Sequence, residues 1–120
     1  MTGRTLLLMT LVASGCVRSA TASSARNATE LSGWVSDSGC GALHTKPGGE
    51  DCIRKCLRGG ASVGHPEWLP QKLVLVVDGS HRILAVENPD ALMPYAGRRV
   101  QVKGFIDAAS LRVQNVVEMP

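Results

Sequence analysis

Leu73-Val74-Leu75-Val76-Val77-Asp78-Gly79-Ser80-His81-Arg82-Ile83-Leu84-Ala85-Val86 is two runs of β-forming residues around an Asp-Gly pair. That composition predicts an antiparallel hairpin. Beyond it, Asn88-Pro89-Asp90 opens a short helix running to Tyr95, with Asn88 as cap and Pro89 in the first turn. Pro94 and Gly97 limit its length. Arg98 to Ile106 alternates, with Val100 and Val102 inward and Gln101 and Lys103 outward. The chain turns at Asp107 to Ser110 and returns as a last strand from Leu111 to Val117. The alternation of that strand shifts near Asn115, as a bulge would make it.

On the N-terminal side of the hairpin, Leu31 to Asp37 reads as a first strand. Leu31, Gly33 and Val35 share one face, and Ser32, Trp34 and Ser36 the other. A glycine inside a strand marks a bulge or a close backbone approach. Ser38-Gly39-Cys40-Gly41 breaks the strand, and Lys46-Pro47-Gly48-Gly49 is a loop by composition. Glu50 to Arg58 is a short helix, acidic at its start and basic toward its end as the helix dipole favours. Gly59-Gly60 stops it. Cys52 and Cys56 then lie one turn apart on one face.

The order is strand, cysteine-bearing insert, two hairpin strands, short helix, two strands. This predicts a mainly β domain, a five-stranded OB-like barrel with a short helix inserted after the first strand and another between the third and fourth. Two stretches carry a family resemblance. Tyr95-Ala96-Gly97-Arg98-Arg99-Val100-Gln101-Val102-Lys103-Gly104, followed by Leu111-Arg112-Val113, resembles the last two strands of small exported bacterial OB-fold proteins. Trp34-Val35-Ser36-Asp37-Ser38-Gly39-Cys40-Gly41, with His44, Cys52-x-x-x-Cys56 and Gly60-Ala61, is similar to a group of them with a Cys-Gly…His…Cys-x3-Cys insert. The resemblance covers most of residues 31–117. It implies the fold and export, and it implies no activity.

The 120 residues suffice for one domain. Apolar residues make up 44% and aromatic ones 3%, so the core must be built from Val, Leu, Ile and Ala. A net charge of +3, scattered along the chain, lays down no nucleic-acid footprint, and stacking aromatics among basic strand residues are missing. Met1 to Arg4 carries one positive charge, Thr5 to Ala13 is apolar, and Ser14-Gly15-Cys16 follows. This is the pattern of a secretory signal over residues 1–15, and the run is shorter than the ~18 residues of a membrane-spanning helix.

Leu11-Val12-Ala13-Ser14-Gly15-Cys16 resembles a bacterial lipobox, which makes Cys16 the acylated first residue of a lipoprotein. The competing reading is ordinary cleavage after Ala20-Thr21-Ala22. Either one puts the mature chain outside the cytoplasm, in the periplasm or on the outer membrane if lipidated and secreted otherwise. Residues 16–29, rich in Ser, Ala and Thr, read as a flexible tether to a domain over residues 30–120. Asn27-Ala28-Thr29 matches a glycosylation sequon, a chance match if the source is bacterial.

Chemistry concentrates between Cys40 and Cys56. With Cys16 lipidated, three cysteines remain and cannot all pair. One reading is a disulfide staple of Cys40 to Cys52 or Cys56, because exported small domains oxidise readily. Closing a loop of ~12–16 residues would add about 3 kcal/mol. A second is a metal site of Cys40, His44, Cys52 and Cys56, a Cys3His set suited to zinc or Cu(I). A third is thiol–disulfide chemistry, although the Cys-x-x-Cys of thioredoxin-like enzymes is missing.

His44 is otherwise a polar loop residue, and His65 and His81 read as solvent-facing. Trp34 and Trp68 are expected in core or rim packing, and Arg98, Arg99 and Lys103 as a solvated edge. Cys40 with His44 is the single nucleophile–base pair on offer, without an orienting acid or an oxyanion hole. The expected class is therefore a non-enzymatic binding or envelope-associated module.

Overall fold

The computed structural model describes residue 3 and residues 27–120. The expected signal segment, the lipidation site Cys16 and most of the tether lie outside the described residues. Among the described residues no helix is long and apolar enough to cross a membrane. The fold is mainly β, with five strands, one α-helix and short 3-10 turns. The strands are β1 (Thr29–Asp37), β2 (Leu73–Val77), β3 (Ile83–Val86), β4 (Arg99–Asp107) and β5 (Ser110–Glu118), and the helix is α1 (Glu50–Arg58).

The strands close on one another in the order β1-β2-β3-β5-β4, forming a closed barrel. Every pairing is antiparallel except a short parallel seam, Ala85 to Ser110 and Val86 to Leu111, where β3 meets β5. β1 is shared between two partners. Its N-terminal part pairs with β4 and its C-terminal part with β2, and Gly33 and Trp34 are paired on both sides. At Gly33 the backbone of β2 comes so close that a Cβ would lie 2.3 Å from the Val76 carbonyl oxygen. The glycine is thus the close approach expected from the sequence.

The core is aliphatic, as the shortage of aromatic residues requires. Val35, Leu73, Leu75, Leu84, Val86, Leu92, Val100, Val102, Leu111 and Val113 form one buried cluster. Each such side chain contributes about 1.5–3 kcal/mol of burial. β2 is buried on both faces, Val74 and Val76 included, because its outer face is covered by the insert between β1 and β2. A register shift between Lys103 and Gly104 leaves Gln114 without a partner on β4, a bulge beside the expected position at Asn115.

The expected helix from Asn88 to Tyr95 is corrected to two 3-10 turns, Pro89–Ala91 and Met93–Tyr95. Pro94 lacks the N–H that an α-helix would direct to the Asp90 carbonyl, whereas Pro89 in the first turn is tolerated. Asn88 makes no side-chain cap. Its amide reaches across to β5 instead, donating to the Val113 carbonyl and accepting the Val113 N–H, both at 2.8 Å.

At the hairpin turn, Asp78 Oδ2 accepts from Arg99 Nε at 2.9 Å and from Nη2 at 2.7 Å. Partial burial opposes ionisation of Asp78, but hydrogen bonds from Arg99 and Ser32 and the Arg99 charge outweigh it and hold the carboxyl below its ordinary value. A lowered folded-state pKa gives stability that is complete above the unfolded value of about 3.9 and is lost as pH falls through the folded one. Thermal melts across acid pH should therefore show a loss below about pH 4 that is smaller in Asp78→Asn. Equal acid sensitivity in both proteins would refute this role.

Candidate metal centre

Three short devices bring the cysteines together. Cys40 follows the end of β1, where Asp37 Oδ1 accepts the N–H groups of Gly39 and Cys40, each at 2.9 Å. This is an Asx-type turn, a side chain replacing a backbone acceptor. Ser36 Oγ donates to the Gly41 carbonyl at 2.8 Å, so the chain beyond Cys40 is fixed to β1 as well. A 3-10 turn, Gly41–His44, then begins.

Cys52 and Cys56 lie on α1, whose bounds are those expected from the sequence. Nine residues make a marginal helix in isolation, so its anchors matter. Ile53 is fully buried. At the C-terminal end Gly59 adopts φ +72°, and its N–H donates to the Lys55 carbonyl, which ends the helix. The returning segment ties on here: Gln71 N–H donates to the Cys56 carbonyl and Gly60 N–H to the Trp68 carbonyl, both at 2.8 Å.

The Sγ atoms of Cys40, Cys52 and Cys56 all lie within 4.8 Å of one another. That is close enough to hold one metal ion. Cys40 and Cys56 are half-buried and Cys52 is exposed. Burial, then the negative charge of Asp37, then the neighbouring thiols push Cys40 up to about 11. Burial and Asp37 likewise raise Cys56. These two sulfurs are therefore protonated near neutrality, and an ion entering the cluster displaces their protons.

The expected disulfide of Cys40 to Cys52 or Cys56 is corrected: all three are free thiols. The helix sets two sulfurs, not one, beside Cys40, and the three lie within 4.8 Å of one another rather than as one bonded pair with a remainder. His44, the fourth member of the expected Cys3His set, is not part of the cluster. In a 3-10 turn, residues three apart are eclipsed, so a residue four away is displaced by about a third of a turn. The His44 ring packs on Gly49 instead, where a Cβ would meet Nδ1 at 2.9 Å.

Asp37 and Ser36 were not among the sequence candidates. Alternation places Ser36 on an outward face, yet its side chain is fully buried because the insert covers that face, while Asp37 shares the inward face of Val35 and is buried at the end of the strand. The available signal was Asp37-Ser38-Gly39-Cys40, an Asp with a glycine two residues on, the composition of an Asx turn.

His81 is exposed, as expected. His65 stacks on Trp68 with ring centroids 3.8 Å apart and bonds Glu67 at 2.9 Å. Trp34 is half-buried. Trp68, expected in packing, is 56% exposed and lines, with Cys56, Val63 and Leu69, a groove of about 820 Å³. Comparison with protein-family models, curated proteins and solved structures finds no match to this chain.

Proposed function

We propose that this chain is an exported, lipid-anchored, non-enzymatic binding module on an OB-type barrel, and that its working centre is a thiolate metal site of Cys40, Cys52 and Cys56. The convergence of the three sulfurs within 4.8 Å carries this reading. Thiolates select zinc or Cu(I) among biological ions. The ring order, with β3 parallel to β5, and the helix-bearing insert after β1 support the OB assignment. So does the resemblance to small exported OB-fold proteins. The basic, apolar and small-residue order of residues 1–16 supports export.

The test is metal analysis of the full chain purified anaerobically without chelators, with thiol alkylation before and after chelation. One equivalent of zinc or copper, with Cys40, Cys52 and Cys56 alkylated rapidly only after chelation, is the expected result. A metal-free chain two hydrogens lighter than its reduced mass would sink the metal reading. Anchoring is tested separately: Cys16→Ser should move the protein out of the membrane fraction, and its retention there would refute lipidation.

A further inference from the structure

One buried group beside the cluster has no partner. Asp37 is fully buried, and its Oδ1 is occupied by the amides of Gly39 and Cys40. Its Oδ2 is buried with no hydrogen-bond partner among the described residues. A buried carboxylate oxygen left without a partner is costly and rare in stable folds. Ligating carboxylates, by contrast, characteristically have one oxygen held by protein donors while the other is directed to the ion.

Building on the three-thiolate reading, we propose that Asp37 Oδ2 is the fourth ligand and completes a tetrahedral Cys3Asp set for Zn(II). The Asx turn that fixes Cys40 fixes the carboxylate as well, so ligand and ligand holder are one element. Asp37 is near enough for its charge to act on both Cys40 and Cys56. It is not among the atoms that close within 4.8 Å, so loading brings the thiols toward Oδ2 by rotation about their χ1 angles between staggered wells, while Oδ1 stays on its two amides. Chemistry separates the candidate ions. Three thiolates satisfy Cu(I), whereas a structural zinc takes four ligands and accepts a carboxylate oxygen among them.

The test is Asp37→Asn in the full chain, with zinc and Cu(I) affinities measured by chelator competition. Zinc binding should weaken by more than the ~100-fold ceiling typical of an outer partner, while Cu(I) binding changes by a small factor. Equal weakening for both ions would make Asp37 a positioning residue and overturn the proposal, as would unchanged zinc affinity. If Asp37→Asn does not fold, the wild type decides. Electron–nuclear double resonance of the Co(II)-substituted protein should lack exchangeable water protons on the metal, and their presence would overturn the proposal. A wild-type chain that binds neither ion removes the three-thiolate reading itself, whereas binding that does not depend on Asp37 removes this inference alone.

Discussion

Cys56→Ser should abolish metal loading, with an affinity loss exceeding the ~100-fold typical of removing an outer-sphere partner. The Cys56 sulfur lies within 4.8 Å of those of both Cys40 and Cys52. Its backbone is held by the bond from Gln71 N–H to its carbonyl, so no rotation of α1 can bring another donor into its place. Serine matches its shape, and a neutral hydroxyl is a poor ligand for a soft ion. The side chain is only half-buried, so the melting temperature of the metal-free protein should move little. Chelator competition for zinc and for Cu(I) reads the effect. Undiminished affinity for both ions would show that the sulfurs are neighbours without a common ligand.

Gly33→Val should cost about 3 kcal/mol or more, the upper range for overpacking a filled site. For a domain of this size that lowers the melting temperature by on the order of 10–20 °C. Strand propensity alone predicts the opposite sign, since valine favours strands and glycine weakens them. The geometry decides: the first side-chain atom would meet the Val76 carbonyl oxygen at 2.3 Å, its carbon at 3.0 Å and Val77 Cα at 3.2 Å. All three are backbone, so no rotamer change relieves the contact. Gly33 is also paired on both sides, to Val77 and Val100, so moving β1 away disrupts two ladders. A thermal melt at or above that of the wild type would refute this account.

Local patterning carried much of the fold. β2 and α1 have the bounds expected from composition alone, because a run of aliphatic β-formers beside Asp-Gly, and charges ordered along a helix before Gly-Gly, are local signals. The stretch from Asn88 to Tyr95 misleads for the opposite reason. Its cap-and-proline signature is local, but the Asn88 amide finds better partners on Val113, which are remote in sequence.

The candidate site was legible as a set of sulfurs and not as a geometry. Spacing places Cys52 over Cys56 on one helical face, yet nothing in the spacing tells whether His44 or Asp37 stands nearer the thiols. That depends on the 3-10 turn after Cys40 and on the insert covering the outer face of β1. Alternation treats such a face as solvated, so Ser36 went unmarked, and Asp37, on the inward face at the end of the strand, carried no signal beyond its turn composition.

All three sulfurs lie within the single insert between β1 and β2, while the buried aliphatic cluster of the barrel draws chiefly on the strands. Leu57 of the insert packs against that cluster and the insert covers the outer face of β2, so ordering of the insert and stability of the barrel are coupled. On the three-thiolate reading, an ion would stabilise the insert by mass action, to a degree set by its free concentration relative to its dissociation constant. Through the contact of Leu57 with the core, part of that gain would reach the barrel as well.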